Sequence, residues 1–232
     1  MTDDLDRLRI EYADRAARMA DDDRYSTFNQ ANLFTLQQRQ RSVTVALRKN
    51  GLSPLNGKAV LEVGCGGGGV LLELLGMGVK ASHLQGVDLL PDRLFSAQER
   101  LPGISLLCAD GRDLPYPEGC FDLVLQFTVF SSILDPSVRQ AIAKEMLRVL
   151  RPQGAIIWYD FWLNPTNKQT KGLRPSQIHS LFPDCRYHLY RVTLAPPLAR
   201  RLVPLSWTLA ILLENLKLLN SHYLAIIQPN LS

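Results

Sequence analysis

The stretch Ala59 to Gly69, AVLEVGCGGGG, leaves few folds open to the chain. It reads as a buried strand with an acid, Glu62, at its end, then a glycine-rich turn through Gly64, Gly66, Gly67, Gly68 and Gly69 that feeds a helix. Glycine tolerates positive φ and carries no Cβ, so such a turn brings backbone close to a ligand. Two cofactor signatures overlap on it. Gly64, Gly66 and Gly69 fit the dinucleotide pattern GxGxxG, whereas Glu62, Gly64, Gly66 and Gly68 fit an acidic ExGxGxG.

The segments around the loop alternate in type. Further strands are expected at His83 to Asp88, Ile104 to Cys108, Phe121 to Phe127 and Ala155 to Phe161, separated by helices over Val70 to Leu75, Pro91 to Leu101 and Pro136 to Leu150. Asp135 and Pro136 suit a helix cap and first turn, and Arg151 to Gly154 a turn into the fifth strand. Short apolar strands alternating with helices argue for an α/β fold, a parallel sheet with helices on both faces.

Ahead of this core, Leu5, Leu8, Tyr12, Ala16 and Met19 recur at helical steps, with Asp21, Asp22 and Asp23 after them. Leu33, Leu36, Val43 and Leu47 suggest a second helix stopped by Asn50 and Gly51. Residues 1–51 are therefore expected to form a helical cover on a single domain whose cofactor core is 55–162. In the remainder, 163–232, a short helix from Pro175 to Leu181 is followed by strands at Cys185 to Leu194 and His222 to Gln228. Between those strands lies an insertion, 196–219, in which Pro204 bars an unbroken helix and Leu209, Leu212, Leu213, Leu216 and Leu219 share one apolar face. Core packing, a lid over a hydrophobic acceptor pocket, and a surface for membrane or partner all remain open for it.

Composition removes several function classes. A net charge of +4 with scattered basic residues gives no stripe for nucleic acid. No run of about 18 uncharged apolar residues is present, and the acidic first residues lack the apolar core of a secretory signal. Cys65, Cys108, Cys120 and Cys185 are widely spaced, without CxxC pairs or histidines at metal-ligand spacing, and read as reduced thiols. A cytoplasmic protein without a metal is expected.

The loop's two signatures differ in charge. A dinucleotide's pyrophosphate rests at the helix N-terminus, where a carboxylate at Glu62 repels it; S-adenosylmethionine, cationic and without phosphate, has no such conflict. Asp88 at the end of the second strand suits ribose hydroxyls in either case. Asp110, after the third strand, can accept from an adenine amine, and the three acids then line one cleft at the strands' carboxyl ends.

With these residues in view the chain resembles class I S-adenosylmethionine-dependent methyltransferases, of the type 11 small-molecule group. LEVGCGGG is similar to that family's first motif, GVDLLPDRL to its second, CADGRDLPYPEGCFDLVLQFTVF to the adenine loop and fourth strand, and EMLRVLRPQGAIIWYDF to the helix, turn and fifth strand. The resemblance implies a Rossmann-like three-layer sandwich whose seven-stranded sheet is mostly parallel with an antiparallel last strand. It further implies that Glu62, Gly64, Cys65, Gly66 and Gly68 line the methionine side, that Asp88 and Leu89 hold the ribose, that Asp110, Gly111 and Arg112 flank adenine, and that Gln126, placed first after the fourth strand, meets the amino acid part. Ser131 and Ser132 stand where many relatives carry histidines.

The expected activity is methyl transfer to a small molecule, at oxygen, in a biosynthetic or tailoring pathway. A cofactor-holding module without catalysis and a NAD(P)-dependent oxidoreductase are the alternatives. Asp160 and Tyr159, at the end of the fifth strand, are the candidate catalytic residues; Tyr25, Asn32, Trp158 and Asn164 are the candidate acceptor contacts.

Overall fold

The computed structural model describes residues 4–18, 23–164, 167 and 169–230. Met19, Asp21 and Asp22 lie outside them. Helix α1 (Asp4–Arg18) and helix α2 (Gln30–Lys49) precede strand β1 (Val60–Val63). Then follow α3 (Gly69–Gly76), β2 (Leu84–Asp88), α4 (Pro91–Arg100), β3 (Ser105–Cys108), β4 (Phe121–Phe127), α5 (Pro136–Val149) and β5 (Leu150–Phe161). The remaining elements are α6 (Pro175–Leu181), β6 (Cys185–Leu194), α7 (Pro196–Leu202), α8 (Trp207–Asn215) and β7 (Asn220–Pro229).

The seven strands form one sheet in the order β3-β2-β1-β4-β5-β7-β6. β1 to β5 pair in parallel, and β7 runs antiparallel between β5 and β6. The reversal between β1 and β4 opens a crevice at the strands' carboxyl ends, where open α/β sheets take their ligands. Because successive side chains alternate in direction, the buried strands feed two cores. On one face Leu61, Val63, Val124, Ile156 and Trp158 meet α1, α5 and α6; on the other Val60, Leu123, Leu125, Ile157 and Tyr159 meet α2, α3 and α4. This is the expected three-layer sandwich.

Several boundaries differ from expectation. Glu62 is the third residue of β1, not its end, and Gln126 lies inside β4, paired with Val63 and Trp158. The segment Arg151 to Gly154 belongs to β5, with a register shift between Phe121 and Leu123 that absorbs the extra residues without breaking the pairing. His83 sits in a 3₁₀ turn ahead of β2.

The insertion is two short helices, and most of the leucines expected to share one apolar face are exposed. α8 buries Ala210 and Glu214, while Leu209 and Leu212 are exposed, as are Leu216 and Leu219 beyond its end. Arg41 of α2 forms an ion pair with Glu214, and Trp207, Ile211 and Leu213 of α8 pack inward beside Ala210. A small third core completes the contact, with Phe34 of α2 edge-on to Trp207 at 5.1 Å and Ala199, Val203 and Ala210 beneath.

Candidate cofactor and acceptor site

The glycine loop is held by backbone from the neighbouring strand. Gly64 N and Cys65 N both donate to Val87 O, at 2.8 and 3.0 Å, and Gly68 N donates to Cys65 O at 2.9 Å. Gly64, Gly66 and Gly68 all take positive φ, at 73°, 51° and 74°. A Cβ on Gly66 would lie 2.3 Å from the guanidinium of Arg93, and one on Gly64 2.3 Å from Val129 Cγ2. Gly64 is thus required both by conformation and by what lies against the loop, whereas at Gly66 the flexible end of Arg93 can move and conformation alone makes the demand.

Sheet order sets Asp110, Asp88, Glu62 and Gln126 in sequence across the carboxyl edge of β3, β2, β1 and β4. Asp88, nearly buried, accepts from Gly66 N at 2.7 Å through one oxygen and from Leu90 N at 3.0 Å through the other. Each carboxylate oxygen has a second lone pair, so the residue retains capacity for a ligand hydroxyl. Leu89 is half-buried against the core, its carbonyl accepting from Cys108 Sγ at 3.8 Å.

Asp110 is bound to Arg112 by side-chain contacts of 2.7 to 3.2 Å and accepts from its backbone N–H at 2.9 Å. Partial burial would raise the Asp110 carboxyl, but these Arg112 bonds outweigh it and hold it below the usual range. Gly111 fits closely, an added Cβ meeting Ile142 and Val63 at 3.3 to 3.4 Å. Cys65 is buried, and burial, with the charges of Glu62 and Asp88, pushes its thiol far up, which leaves it no nucleophile.

Glu62 is 2% exposed and one of its oxygens has no hydrogen-bond partner. Burial drives its carboxyl well above the ordinary value; Arg39 of α2 is the strongest opposing charge, while Asp88 and Glu73 add to the rise. A carboxyl so biased toward its neutral form repels phosphate weakly, so the charge argument for the loop loses force. Gln126 uses its oxygen on Val129 N at 3.1 Å and leaves its amide nitrogen buried without a partner.

The candidate catalytic residues are both enclosed. Asp160 accepts from Ser131 N at 3.0 Å and from its own Phe161 N at 2.8 Å, so it pins the loop after β4 to the end of β5. Burial raises its carboxyl to about 6 against the pull of these bonds and of Arg139. Tyr159 lies on the opposite face, its hydroxyl 2.8 Å from Thr193 Oγ1 and its ring stacked on His222. Burial, aided by Arg39, lowers the His222 imidazole to about 3.

These two groups make opposite contributions to acid stability. Between the unfolded carboxylate value and about 6, the folded state holds the Asp160 proton and the unfolded state does not, so stability from Asp160 falls as pH rises. His222 is neutral when folded and protonated when unfolded over about pH 3 to 6.5, so its stability is lost as pH falls. On acidification from pH 6.5 to 4, His222→Gln should therefore lose less Tm than wild type and Asp160→Asn more. Parallel Tm curves for all three proteins would contradict both assignments.

The proposed acceptor contacts do not converge. Trp158 is a core side chain, 0% exposed, packed on Phe130 and Phe182. Asn32 donates to Tyr25 O and Ser26 O at 2.9 and 3.0 Å, closing the turn into α2, and the hydroxyl of Tyr25 meets Arg15. Asn164 Nδ2 donates to Thr170 Oγ1 at 3.0 Å.

Three groups near the loop escaped the sequence pattern. Arg93 of α4 stands over Gly66 and 5.0 Å from the ring of Tyr12. Arg39 bonds Glu73 and faces Phe127 at 5.6 Å, with its Nε buried and unpaired. Asp4 accepts from Leu134 N and Asp135 N at 2.7 and 2.9 Å while Arg7 donates to Ser132 O at 2.6 Å, so α1 is tied onto the loop after β4. None has a local signature, because each acts across more than twenty residues of sequence.

With this geometry in place the comparisons are decisive for the core. Residues 60–154 match the family model described as Methyltransferase domain. This part of the chain is a methyltransferase domain. The glycine loop and the seven-stranded sheet are those expected of the class I, S-adenosylmethionine-dependent type.

The methyltransferase domain is 37% identical over 116 residues to a phthiotriol/phenolphthiotriol dimycocerosates methyltransferase of Mycobacterium leprae, covering 49% of this chain and 41% of that protein. It is 37% identical over 108 residues to a fatty-acid O-methyltransferase of Mycolicibacterium smegmatis, covering 46% and 38%. The matches thus span less than half the length of these relatives. Among solved structures, magnesium protoporphyrin IX methyltransferase from Synechocystis PCC 6803, with bound S-adenosylmethionine, shares the fold with a TM-score of 0.64 over 98% of both chains at 17% identity.

Proposed function

We propose that the chain transfers a methyl group from S-adenosylmethionine to a small, lipid-like acceptor at oxygen, in a biosynthetic or tailoring pathway of the cytoplasm. The observation that carries this is the pair of unpartnered buried polar atoms beside the glycine loop, one acceptor on Glu62 and one donor on Gln126. An α-amino acid end offers both complements, an ammonium for the first and a carboxylate for the second. Asp88 would hold ribose hydroxyls and the Asp110 to Arg112 turn would flank the adenine.

When bound, the sulfonium supplies a methyl group with a neutral thioether as leaving group, so oriented proximity and a dry cleft account for most of the acceleration. Asp160 and Tyr159 are enclosed and hydrogen-bonded, which suits positioning of the loop after β4 better than proton removal. An acceptor that needs no base is therefore favoured, and a carboxylate is the oxygen nucleophile already ionised at neutral pH. The fatty-acid O-methyltransferase among the relatives supports that class. Residues 196–219 support a peripheral membrane setting for such an acceptor, and the four free cysteines support a reducing one.

Glu62 makes the cofactor test specific. An ammonium beside it favours its charged form, so binding should release up to one proton, and affinity should rise with pH by at most about tenfold per unit. Calorimetry with S-adenosylmethionine in two buffers of different ionisation enthalpy measures the release, with NADH as control. Binding without proton exchange removes Glu62 from the ammonium site; binding of NADH alone overturns the cofactor. A screen of long-chain fatty acids, alcohols and quinols then separates an enzyme from a cofactor-holding module, which would methylate none of them.

A further inference from the structure

We propose that the outer face of α7, α8 and the turn before β7 docks on an anionic lipid surface. Leu205 is 83% exposed, Leu212 58%, Leu216 63% and Leu218 73%, with Leu209 and Leu219 exposed beside them. α8 packs Trp207, Ala210, Ile211 and Leu213 on the third core, so the exposed Leu209 and Leu212, with Leu205, Leu216, Leu218 and Leu219 around them, form a second apolar surface without a partner among the described residues. No helix among the described residues is long and apolar enough to cross a membrane, so contact would be lateral.

Charge selects the occupant. Within residues 196–219 the charged side chains are Arg200, Arg201, Lys217 and Glu214. The first three are exposed; Glu214 is 2% exposed and neutralised by Arg41, with Lys217 3.9 Å away. The segment therefore presents leucines and positive charge together, the pairing that inserts into an acyl boundary beneath anionic headgroups. A carboxylate, Asp23, lines with Arg200, Phe28 and Pro204 a cavity of about 560 Å³ at the edge of this face. A second copy is the less suitable occupant, because a two-fold contact through this face would gather Arg200, Arg201 and Lys217 of both copies into one interface whose Glu214 is already paired with Arg41.

Docking deepens the reading of a lipid-like acceptor and rests on it for its purpose, but its measurement needs no methyl transfer. The full chain is sedimented with vesicles of phosphatidylcholine, with and without phosphatidylglycerol. Binding is expected to vesicles containing phosphatidylglycerol and to weaken with salt. Leu212→Glu with Leu216→Glu should lower the partition about tenfold or more, and Arg200→Gln with Arg201→Gln about fivefold for each charge removed. Calorimetric affinity for S-adenosylmethionine should be unchanged in both, which shows that they fold. Failure of wild type to bind, or binding indifferent to the leucine substitutions, overturns the docking face while leaving the methyltransferase reading intact. A lipid-free dimer, seen by analytical ultracentrifugation and dissolved by the glutamates, overturns it in favour of a second copy.

Discussion

Asp88→Asn is expected to lower affinity for S-adenosylmethionine by about tenfold or more and to destabilise the fold by about 1.5–3 kcal/mol, since hydrogen bonds to charged groups carry that much. The carboxylate ends β2 with only 6% exposure and accepts a backbone N–H through each oxygen, Gly66 at 2.7 Å and Leu90 at 3.0 Å. An amide has a single oxygen, so whichever way it turns, its NH₂ faces one of these N–H donors. If the amide oxygen stays on Leu90, Gly66 loses its anchor, and the loop that must cradle the ligand is the part released. Calorimetry reads the first effect and urea denaturation the second. Wild-type affinity in the variant would show that the loop is held without Asp88 and that the ribose site lies elsewhere.

Gly64→Ala should be as severe for the fold, destabilising it by about 2–4 kcal/mol, from left-handed strain of about 1 kcal/mol and overlap with a packed side chain of about 1–3 kcal/mol. Its φ is 73°, and an added Cβ would sit 2.3 Å from Val129 Cγ2. The backbone cannot retreat easily, because Gly64 N is bonded to Val87 O at 2.8 Å. Gly57 separates the two components: its φ is 84° but a Cβ there meets nothing within 4 Å, so Gly57→Ala reports strain alone. Adding Val129→Ala to Gly64→Ala should recover the overlap and leave the strain, a coupling that a double-mutant cycle in urea measures. Equal losses at Gly64 and Gly57 would mean that Val129 moves aside freely.

The residues that the sequence made visible are those whose role is local. The glycine run, Asp88 at a strand end and the Asp135 cap with Pro136 each declare themselves within a few positions, and the strand-helix alternation carries most of the architecture. Features made by distant partners were hidden. The face of α8 could not be read from leucine spacing, because its inward edge meets partners far away in sequence, Phe34 of α2 against Trp207 and Arg41 against Glu214. Glu62 looked like a strand-end acid facing ligand phosphates, yet its burial within β1 raises its carboxyl well above the ordinary value against the pull of Arg39. Arg93 above Gly66 and the tie from Asp4 and Arg7 to the loop after β4 depend on how α4 and α1 pack, which periodicity does not encode.

The position of β7 has a consequence for how the molecule assembles during synthesis. β6 is made before β7 but has no ladder partner except β7, which slots between it and β5. Until residues 220–229 leave the ribosome, β6 and the two helices after it can be held only by side-chain packing, and the edge of β5 stays open to pairing. That exposed edge, carrying Ile156, Ile157, Trp158 and Tyr159, is an aggregation hazard for the nascent chain. Arrival of β7 closes both gaps in one event, so the sheet's last third is gained cooperatively rather than strand by strand.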